Sequence, residues 1–553
     1  MVNTWKDQLE YEEQMDEQIQ TPSRQIDLEQ VEQLMRNHES VEDAAAVLRD
    51  GPDAEIVGFV TLHKHAVDSQ VESLGKSGNE YETQQVQLWE TVFDRGIYTS
   101  IDSVQTAAIG RDFTGWVSAY NGSPLDQGEM NEWLDDTIKT ILSCHGSDSL
   151  NVLELGTGSG MILFSIAKSL RSYVGLELSQ TAVDFVAAKA RSISELANKV
   201  QVHQGSATDF HLLGSVSPDI VVINSVAQYF PSQDYLYEVV KGILQLGSAQ
   251  TIFFGDIRSY ALQGEFLVSK ALHRMAGESS KEKIREEMAE MAQAELELLI
   301  DPAFFTNLPS QFPDLIEHVE ILPKKMKANN ELSCYRYAAV VHIRNPRQIG
   351  GLQQQEIHEV GDDEWIDFMD HKLDQEALLR RLEVSTPNII AVSNIPYSKT
   401  VFERHIIDSL NDGAEDGDVS WLPSVRKKSQ KCPALSALDL VTLSQQAGYQ
   451  IEISWARQHS QRGGLDAIFH RYRPSSGGRV LFRFPTDHQG RPQSTFSNQP
   501  LLQQARQSIQ QQLYETLQDQ LPFHMVPEEI LVLEKLPINA NGDVDRQALA
   551  KRA

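Results

Sequence analysis

A glycine-rich segment is the first part of this sequence whose residue types could bind a ligand. The stretch "ELGTGSG", from Glu154 to Gly160, follows the apolar "NVL" and precedes the helical pattern "MILFSIAKSL". Glycines at the junction of a strand and a helix permit a tight turn and a close approach of the backbone to a ligand. Such a turn could serve a dinucleotide, a nucleoside triphosphate, S-adenosylmethionine, or no ligand at all.

Two of these four readings lack a residue that they require. A phosphate-binding loop of the Walker type needs a lysine after its last glycine, and Met161 stands there instead. A dinucleotide fingerprint needs a third glycine where helix and strand pack closely, and Phe164 and its neighbours are bulky. S-adenosylmethionine has no pyrophosphate and needs neither feature, so the sequence favours it.

Acidic and small residues at the next two strand ends point to the same ligand. Glu177 ends the second strand pattern, at a suitable distance from Gly160 to accept hydrogen bonds from two ribose hydroxyls. After the third strand, Asp209 could accept from an adenine amino group, while Ala207 leaves room for the ring. Each could instead be a turn residue or a helix cap. The candidate cofactor-binding residues are Glu154, Gly156, Thr157, Gly158, Gly160, Glu177, Leu178, Ala207, Asp209, Asn224 and Ser225.

Polar residues also follow the fourth and fifth strand patterns. They occur in "NSVAQYFPS" and "GDIRSYAL" and comprise Asn224, Gln228, Tyr229, Asp256 and Arg258. Open α/β sheets bind ligands at the carboxyl ends of their strands, so these side chains are candidates for the reaction side of the site. Each could equally be a cap or a loop hydrogen bond.

The elements that must position these residues alternate between strand and helix. Apolar strand patterns recur at "NVLELG", "YVGLEL", "KVQVHQG", "DIVVINSV" and "TIFFGDI", separated by segments of helical length. This alternation predicts an α/β fold with a parallel, doubly wound, Rossmann-like sheet. The later stretch "HVEILPKKMKANNELSCYRYAAVVHI" predicts an antiparallel hairpin that closes the sheet.

The rest of the chain predicts further units. A helix from Asp27 and two strands suggest a small α+β unit over residues 1–70, and the sheet and its hairpin occupy 81–344. Mixed helix and strand patterns over 345–473 suggest an appended α/β lobe, and 474–553 carry a strand, a glutamine-rich helix and a final strand. We therefore expect four segments, of which the second is the core of the site.

Composition narrows the possible partners. The formal charge of −30 disfavours binding to nucleic acid or to an anionic membrane, because both require a basic surface. The three cysteines lie far apart without metal-binding spacing, so we expect neither a disulfide framework nor a metal site. The acidic start lacks the pattern of a signal peptide, and no apolar run is long enough to span a membrane. A cytoplasmic location is expected.

The sequence resembles class I methyltransferases that use S-adenosylmethionine. More narrowly, it is similar to the N-methyltransferase domains embedded in fungal nonribosomal peptide synthetases of the enniatin, beauvericin and cyclosporin type. The resemblance lies in "IGRDFTGWVSAYNG", "GEMNEWLDDTI", "VLELGTGSGMILF", "SYVGLELS", "NSVAQYFPS", "FFGDIRSYAL", "ELSCYRYAAVVH" and "NIPYSKT". The two flanks resemble the start and end of the small C-terminal subdomain of an adenylation domain, which the methyltransferase would split.

The resemblance implies a substrate and partners. It implies methylation of the α-amine of an aminoacyl thioester, held on the phosphopantetheine arm of a carrier domain, with S-adenosylhomocysteine as the second product. The chain has no "GGxS" loop of its own, so the carrier would be supplied by another domain. The large adenylation core and the other synthetase domains are the further partners expected in this secondary-metabolite pathway.

Within that reaction, roles follow for the reaction-side residues. Tyr229 and Asn224 would orient the amine, and Asp256 or Glu331 would receive its proton. Arg258 would orient the acyl carbonyl or hold the wall of the site. These assignments rest on position after the fourth and fifth strands together with the resemblance.

Two departures and two alternatives stand beside this interpretation. The final motif of an adenylation subdomain carries a lysine where "NGDVDR" has Asp543, and "IQTPSRQI" replaces the usual basic, glycine-containing loop. We therefore do not expect adenylation from this chain alone.

Methyl transfer to carbon or oxygen would call for a histidine and glutamate pair, which does not stand out. The altered flanks also leave open a noncatalytic interaction platform.

Overall fold

The computed structural model describes most of the 553 residues. The described ranges are 27–49, 55–67, 69, 80–104, 108–144, 149–275, 280–344, 357–384, 387–412, 421–473, 479–533, 535–539 and 542–550. Within these ranges no helix has the length and apolarity needed to cross a membrane. The same ranges contain no cluster of three histidine, cysteine or acidic side chains suited to a metal ion.

Strands and helices alternate through most of the chain. The strands are β1 Val41–Arg49, β2 Glu55–Leu62, β3 Leu150–Leu155, β4 Leu170–Glu177, β5 Val200–Gln204, β6 Ile220–Asn224, β7 Thr251–Arg258, β8 Ile316–Pro323, β9 Arg336–Ile343, β10 Ile357–His358, β11 Trp365–Asp367, β12 Ile389–Ile395, β13 Gln450–Ser454, β14 Leu465–His470, β15 Leu481–Phe482 and β16 Glu529–Val532. The α-helices are α1 Leu28–Arg36, α2 Glu80–Val92, α3 Gln127–Ser143, α4 Met161–Ser165, α5 Gln180–Ser192, α6 Gln233–Leu246, α7 Gln263–Arg274, α8 Lys281–Gln293, α9 Pro302–Gln311, α10 Glu331–Cys334, α11 Gln375–Val384, α12 Val401–Asn411, α13 Trp421–Ser429, α14 Ala437–Gln446, α15 Pro500–Gln520 and α16 Arg546–Ala550.

The chain divides into two compact units. The smaller unit joins the two ends of the chain, residues 1–81 and 501–553, and the larger unit comprises residues 82–500. The sequence placed residues 474–500 with the tail, but they belong to the larger unit, where β15 pairs with β10. The altered segment "IQTPSRQI" lies outside the described residues.

The smaller unit is an α+β fold built from both chain ends. Strands β1 and β2 pair antiparallel, and β16 adds to β2 in parallel. Asp27 caps the start of helix α1, because its side chain accepts from the Gln30 amide, and the helix buries Val31 and Met35. The core contains residues from α1, β1, β2, α15 and β16. Residues from both ends of the chain thus form one core.

An ion pair between a buried glutamate and a half-exposed arginine connects the last helix of this unit to the first. Glu32 on α1 is buried and accepts hydrogen bonds from the Arg546 guanidinium, with Nη2 and Oε2 3.0 Å apart. Burial opposes ionisation of Glu32, but the hydrogen bonds from Arg546 and from the Ala46 amide lower its pKa. Residues more than 500 positions apart therefore stabilise each other.

A seven-stranded sheet forms the centre of the larger unit. Its order is β5-β4-β3-β6-β7-β9-β8, and the first five strands are parallel. The central strands β3, β6 and β7 are mostly apolar and buried because both faces of the sheet are covered, whereas the edge strand β5 alternates apolar and polar residues. Val152 packs into one core and Leu153 into the core on the opposite face. The sequence predicted this doubly wound sheet.

An antiparallel pair of strands closes the sheet at one edge. Strand β9 runs antiparallel to β7 on one side and to β8 on the other, with helix α10 between β8 and β9 in the chain. This is the closing hairpin that the sequence predicts, and it places Glu331 and Arg336 next to the end of β7.

The appended lobe contains a four-stranded mixed sheet. Its order is β11-β12-β14-β13, and the backbone amide of Trp455, just after β13, donates to Ile321 O on β8 at 2.9 Å. Side chains of the lobe share one hydrophobic core with the large sheet. The lobe therefore braces the closing strands.

Candidate active site

A cavity of about 490 Å³ opens at the carboxyl ends of β3, β4 and β6. The predicted site residues that line it are Glu154, Gly156, Thr157, Gly158, Glu177, Leu178, Ala207, Asn224, Ser225, Tyr229, Arg258 and Glu331. The remaining predicted residues, Gly160, Asp209 and Asp256, do not line it. The crossover between β3 and β6 creates this crevice, because the chain reverses its direction of travel across the sheet there.

The glycine-rich segment forms the floor of the cavity with a backbone that only glycine adopts easily. Gly156, Gly158 and Gly160 all have positive φ angles, of 84°, 54° and 81°. A Cβ on Gly156 would lie 2.3 Å from Val226 Cγ2, so no side chain fits there. Gly160 begins α4, and a Cβ on it would lie 2.6 Å from Phe164 Cε2. The bulky Phe164 packs directly against this turn.

Glu177 ends β4 and faces the glycine segment. Its Oε2 accepts from the Gly158 amide at 2.7 Å, and its Oε1 accepts from the Ser179 amide at 3.0 Å. Burial raises the pKa of Glu177, and the hydrogen bonds from these amides oppose the rise. Each carboxylate oxygen keeps a second lone pair, so Glu177 can still accept from two ligand hydroxyls.

Glu154 lies deeper, at the end of β3. It is buried, and its carboxyl accepts a hydrogen bond from the Tyr173 hydroxyl on β4. Burial raises the pKa of Glu154 to about 8, although the Tyr173 hydrogen bond acts in the opposite direction. This carboxyl is therefore largely neutral at pH 7, and it differs in charge state from an exposed glutamate.

The loop after β5 provides a small side chain but not the predicted carboxylate. Ala207 lines the cavity, as does Leu178 after β4. Asp209 instead folds its own loop, because its Oδ2 accepts from the Ser206 amide and from the Ser206 hydroxyl, both at 2.7 Å. The Asp209 carboxylate therefore stabilises its own loop and does not line the cavity.

Two amide side chains at the end of β6 leave buried oxygens without a partner. Asn224 Oδ1 and Gln228 Oε1 are buried, and neither has a hydrogen-bond partner among the described residues. Both residues line the cavity. A buried polar atom without a partner is costly, so a ligand that donated hydrogen bonds to these oxygens would stabilise the site.

Asp256, one of the two predicted proton acceptors, is bound by three hydrogen-bond donors of the protein. It is fully buried behind the cavity and accepts from Trp133 Nε1 at 3.0 Å, Ser225 Oγ at 3.0 Å and Arg336 Nη1 at 2.5 Å. Burial opposes ionisation, but the charges of Arg336 and Lys324 and the Trp133 N–H outweigh it and lower the pKa of Asp256. With these donors already bound, Asp256 is a poor acceptor for a substrate proton.

Arg258 lines the cavity but is already paired. Its two terminal nitrogens contact both oxygens of Glu295, at 3.0 and 2.6 Å, and Nη1 also contacts Glu297 Oε2 at 2.7 Å. Burial opposes the charge on Arg258, yet Glu297 and Glu295 raise its pKa. The Arg258 guanidinium is thus bound by two carboxylates in the wall of the cavity.

Two aromatic side chains, Trp89 and Phe93, form an aromatic cover over Tyr229, and the sequence did not indicate them as site residues. Its ring centroid is 4.5 Å from that of Trp89 and 5.1 Å from that of Phe93. Burial raises the pKa of Tyr229 to about 12, so its hydroxyl stays neutral at physiological pH. Trp89 lies in the last turn of α2, and Phe93 begins a π-helical turn, Phe93–Ile97, a feature common at functional sites. The helical spacing of these aromatics was readable, but not their distance from the glycine segment.

Glu331 is the remaining candidate proton acceptor. It begins α10 and is 4% exposed, and its Oε1 accepts from the Ala119 amide at 2.9 Å. Asn330 caps the same short helix. The side chain lines the cavity together with Tyr335. The closing strands thus deliver a buried carboxyl to the reaction side.

Comparison with known proteins assigns the class. A family model described as a methyltransferase domain matches residues 147–359. Together with the sheet order, in which β9 lies antiparallel between β7 and β8, this match defines a class I methyltransferase domain, the class that uses S-adenosylmethionine. Magnesium protoporphyrin IX methyltransferase (ChlM) from Synechocystis PCC 6803 is 12% identical with a TM-score of 0.31 and covers 47% of this chain and 99% of that chain. The assignment rests on the sheet order and the family match.

Relatives along almost the entire chain are fungal peptide synthetases. The chain is 50% identical to nonribosomal peptide synthetase dtxS1 of Metarhizium robertsii, over 99% of this chain and 7% of that protein. It is 49% identical to nonribosomal peptide synthetase TES of Alternaria alternata, over 99% of this chain and 11% of that protein. It is 44% identical to cyclosporin synthetase simA of Tolypocladium inflatum, over 99% of this chain and 4% of that protein. The chain thus spans about a tenth or less of these relatives and corresponds to a methyltransferase-containing segment of such synthetases.

Proposed function

We propose that this chain transfers a methyl group from S-adenosylmethionine to the α-amine of an aminoacyl thioester carried on a neighbouring carrier domain. The observation that carries the proposal is the pair of buried, unpartnered oxygens, Asn224 Oδ1 and Gln228 Oε1, in the cavity. An amine supplies two N–H donors, and few other nucleophiles do. The cavity is therefore suited to nitrogen as the methyl acceptor.

The cavity residues fit S-adenosylmethionine. Gly156 and Gly158 let the backbone approach a ligand, Glu177 has lone pairs for ribose hydroxyls, and Ala207 and Leu178 give apolar space for a base. When bound, this cofactor supplies a methyl group on a positively charged sulfur. The protein does not need to activate the nucleophile strongly, but it must align the amine and hold it neutral.

The two amide oxygens would orient the amine. A neutral primary amine that donates one N–H to Asn224 and one to Gln228 has its lone pair fixed in direction. Tyr229 remains protonated, because its pKa is about 12, and it contributes a neutral hydroxyl beside them. Such orientation is worth orders of magnitude in rate, because it replaces random collision by a fixed approach.

Glu331 would take up the proton that the amine loses. It is buried and lines the cavity, and its described contact is with a backbone amide, whereas Asp256 is held by an arginine and two neutral donors. General base catalysis of this kind contributes about a hundredfold to ten thousandfold in rate. The proton passes from the amine nitrogen to a Glu331 oxygen, directly or through water.

The substrate carrier and the other domains enter the proposal from the relatives. Their names describe peptide synthetases, which join amino acids, so an aminoacyl amine is the natural acceptor within such a chain. We do not propose adenylation: Asp543 is exposed on a turn, where its amide donates to Asn539 Oδ1, and it offers no positive charge for a carboxylate. The large adenylation core is an expected partner.

Methylation of carbon would require a strong base beside the acceptor. No histidine occurs among the described residues that line the cavity. The acceptors present suit an amine that loses its proton readily.

Incubation with isotope-labelled S-adenosylmethionine and a panel of aminoacyl thioesters of N-acetylcysteamine tests the proposal. Fragmentation mass spectrometry then locates the methyl group. We expect the label on the α-nitrogen. A methyl group on carbon or oxygen would overturn the choice of acceptor, and calorimetry without any binding of S-adenosylmethionine would favour a noncatalytic platform.

A further inference from the structure

Several residues of the cavity carry buried polar atoms that have no hydrogen-bond partner in the described part of the protein. Among the described residues that line the cavity, three side-chain atoms are buried without a hydrogen-bond partner. Two are acceptors, Asn224 Oδ1 and Gln228 Oε1, and the third is a donor, Nε1 of Trp89. A buried polar atom is costly to leave unpaired unless a ligand pairs with it. Two acceptors and one donor are the complement of a group with two N–H bonds and one carbonyl oxygen.

We propose that the indole N–H of Trp89 donates a hydrogen bond to the carbonyl oxygen of the substrate's acyl group, so that the site recognises an α-aminoacyl unit rather than an amine alone. This inference rests on the proposed function and adds a specificity-determining residue to it. The amine would be held by the amide oxygens after β6 and the carbonyl by the end of α2.

The position of Trp89 supports this role. Its ring packs at 4.5 Å against Tyr229, which directly follows Gln228 in the chain. Trp89, Asn224 and Gln228 all line the same cavity, and the contact with Tyr229 fixes the Trp89 ring beside the segment that follows β6. An α-amine and its carbonyl oxygen are separated by only two carbon atoms, so their partners must lie close together.

The positively charged side chains that line the cavity are less suited than Trp89 to bind the carbonyl oxygen of the substrate. The guanidinium of Arg258 is bound by Glu295 and Glu297, and Arg336 is bound by Asp256. Lys270 also lines the cavity, but it is partly exposed, so water can satisfy its ammonium group. A neutral, buried N–H has a further advantage, because it adds no positive charge that would repel a sulfonium cofactor or a protonated amine.

Trp89→Phe tests the inference, because phenylalanine keeps an aromatic ring and lacks the N–H. Two substrates are compared: the aminoacyl thioester of N-acetylcysteamine, and the matching thioether in which CH2 replaces the carbonyl. For each substrate, kcat/KM of the variant is divided by that of the wild type, so the different basicity of the two amines cancels. We expect a loss of about tenfold to a hundredfold with the thioester and less than about twofold with the thioether.

Phe93→Leu is the matched control for aromatic packing. It disturbs the contact of Phe93 with Tyr229 without removing a donor, so we expect similar losses with both substrates. If Trp89→Phe also lowers both ratios equally, or lowers neither, the inference is wrong. Weaker binding of S-adenosylmethionine by Trp89→Phe in calorimetry would also overturn it, because the N–H would then serve the cofactor.

Assays of the wild-type protein distinguish failure of the proposed function from failure of the inference about Trp89. If the wild type fails to methylate the nitrogen of any thioester, the proposed function fails, and this inference fails with it. If the wild type methylates the nitrogen and Trp89→Phe does not discriminate between the substrates, the inference alone fails.

Discussion

Asp256 at the end of β7 and Arg336 at the start of β9 form an ion pair, with Arg336 Nη1 2.5 Å from Asp256 Oδ2 and the aspartate fully buried. The pair joins the last parallel strand to the closing antiparallel strand. Asp256 also has a φ angle of 58°, which is unusual for a residue other than glycine. A strained, fully buried carboxylate at this junction stabilises the shape of the reaction side.

Asp256→Asn should therefore destabilise the protein by about 3–5 kcal/mol, because it leaves Arg336 without its charge partner. Asparagine is similar in size and tolerates the same backbone conformation, so the substitution isolates the charge. Urea unfolding at pH 7 measures the loss. Asp256→Asn combined with Arg336→Gln should recover part of it. A fully stable Asp256→Asn protein that has lost its activity would instead support a role in proton transfer.

The same pair gives a dependence of stability on pH. Because the pKa of Asp256 in the folded protein lies below its ordinary 3.8, its contribution is complete above that value. The contribution is lost as the pH falls through the lowered pKa. The difference in unfolding free energy between wild type and Asp256→Asn should therefore be constant from pH 5 to 7 and shrink in stronger acid. A difference that persists unchanged at pH 2 would contradict this assignment.

Glu331→Gln should lower kcat by about a hundredfold to ten thousandfold, because the amide cannot take up the proton of the amine. The glutamine oxygen can still accept from the Ala119 amide, so the fold should be preserved. Single-turnover rates with a saturating aminoacyl thioester provide the measurement. Glu195→Gln, at an exposed position, is the matched control and should keep full activity. A Glu331→Gln enzyme within about twofold of the wild type would exclude this role.

The sheet could be predicted from the sequence because its central parallel strands are mostly apolar runs, and such runs alternate with helices only in a few architectures. The position of Glu177 was also predictable, since a strand end after a glycine turn has a defined place in the sheet. The hydrogen-bond partners of the Asp209 and Asp256 side chains could not be predicted from the sequence. The Asp209 carboxylate accepts a hydrogen bond from Ser206, three residues earlier in the chain. Arg336, the charge partner of Asp256, lies 80 residues further along the chain.

The aromatic cover shows a different limit of sequence reasoning. Trp89 and Phe93 are spaced as neighbours on a helix, which is equally typical of a core face. Their contact with Tyr229 depends on the path of the chain over more than 130 residues. Likewise, residues 474–500 resemble the tail in composition, but Ser497 pairs with Ile300 of the larger unit. Tertiary contacts of this kind decided where the unit ends.

Gly156→Ala should weaken binding of S-adenosylmethionine by more than about tenfold, because a Cβ there would meet Val226 Cγ2 at 2.3 Å and a φ of 84° costs about 1–2 kcal/mol in a residue other than glycine. Isothermal calorimetry measures the affinity. Gly122→Ala is the control for backbone strain alone, since Gly122 has a φ of 70° and nothing within 4 Å of its Cβ position. It should lower stability without changing the affinity.

A second substitution separates the two effects at Gly156. Gly156→Ala combined with Val226→Ala removes the methyl group that the new Cβ would meet, while the strained φ remains. We expect partial recovery of the affinity. Full affinity in Gly156→Ala itself would show that the cofactor does not depend on this turn.

The buried carboxyl of Glu154 should make the free energy of unfolding depend on pH. Its pKa is raised by burial to about 8, from an ordinary value of 4.5. Between these two values the folded protein holds a proton that the unfolded chain has released, so Glu154 lowers stability by about 1.4 kcal/mol for each unit of rising pH. Glu154→Gln mimics the neutral form and keeps an oxygen that can accept from the Tyr173 hydroxyl. The variant should therefore gain stability relative to the wild type as the pH rises from 5 to 8, measured by urea unfolding. A constant difference across that range would mean that Glu154 is charged in the folded protein throughout, and that its contact with Tyr173 outweighs its burial.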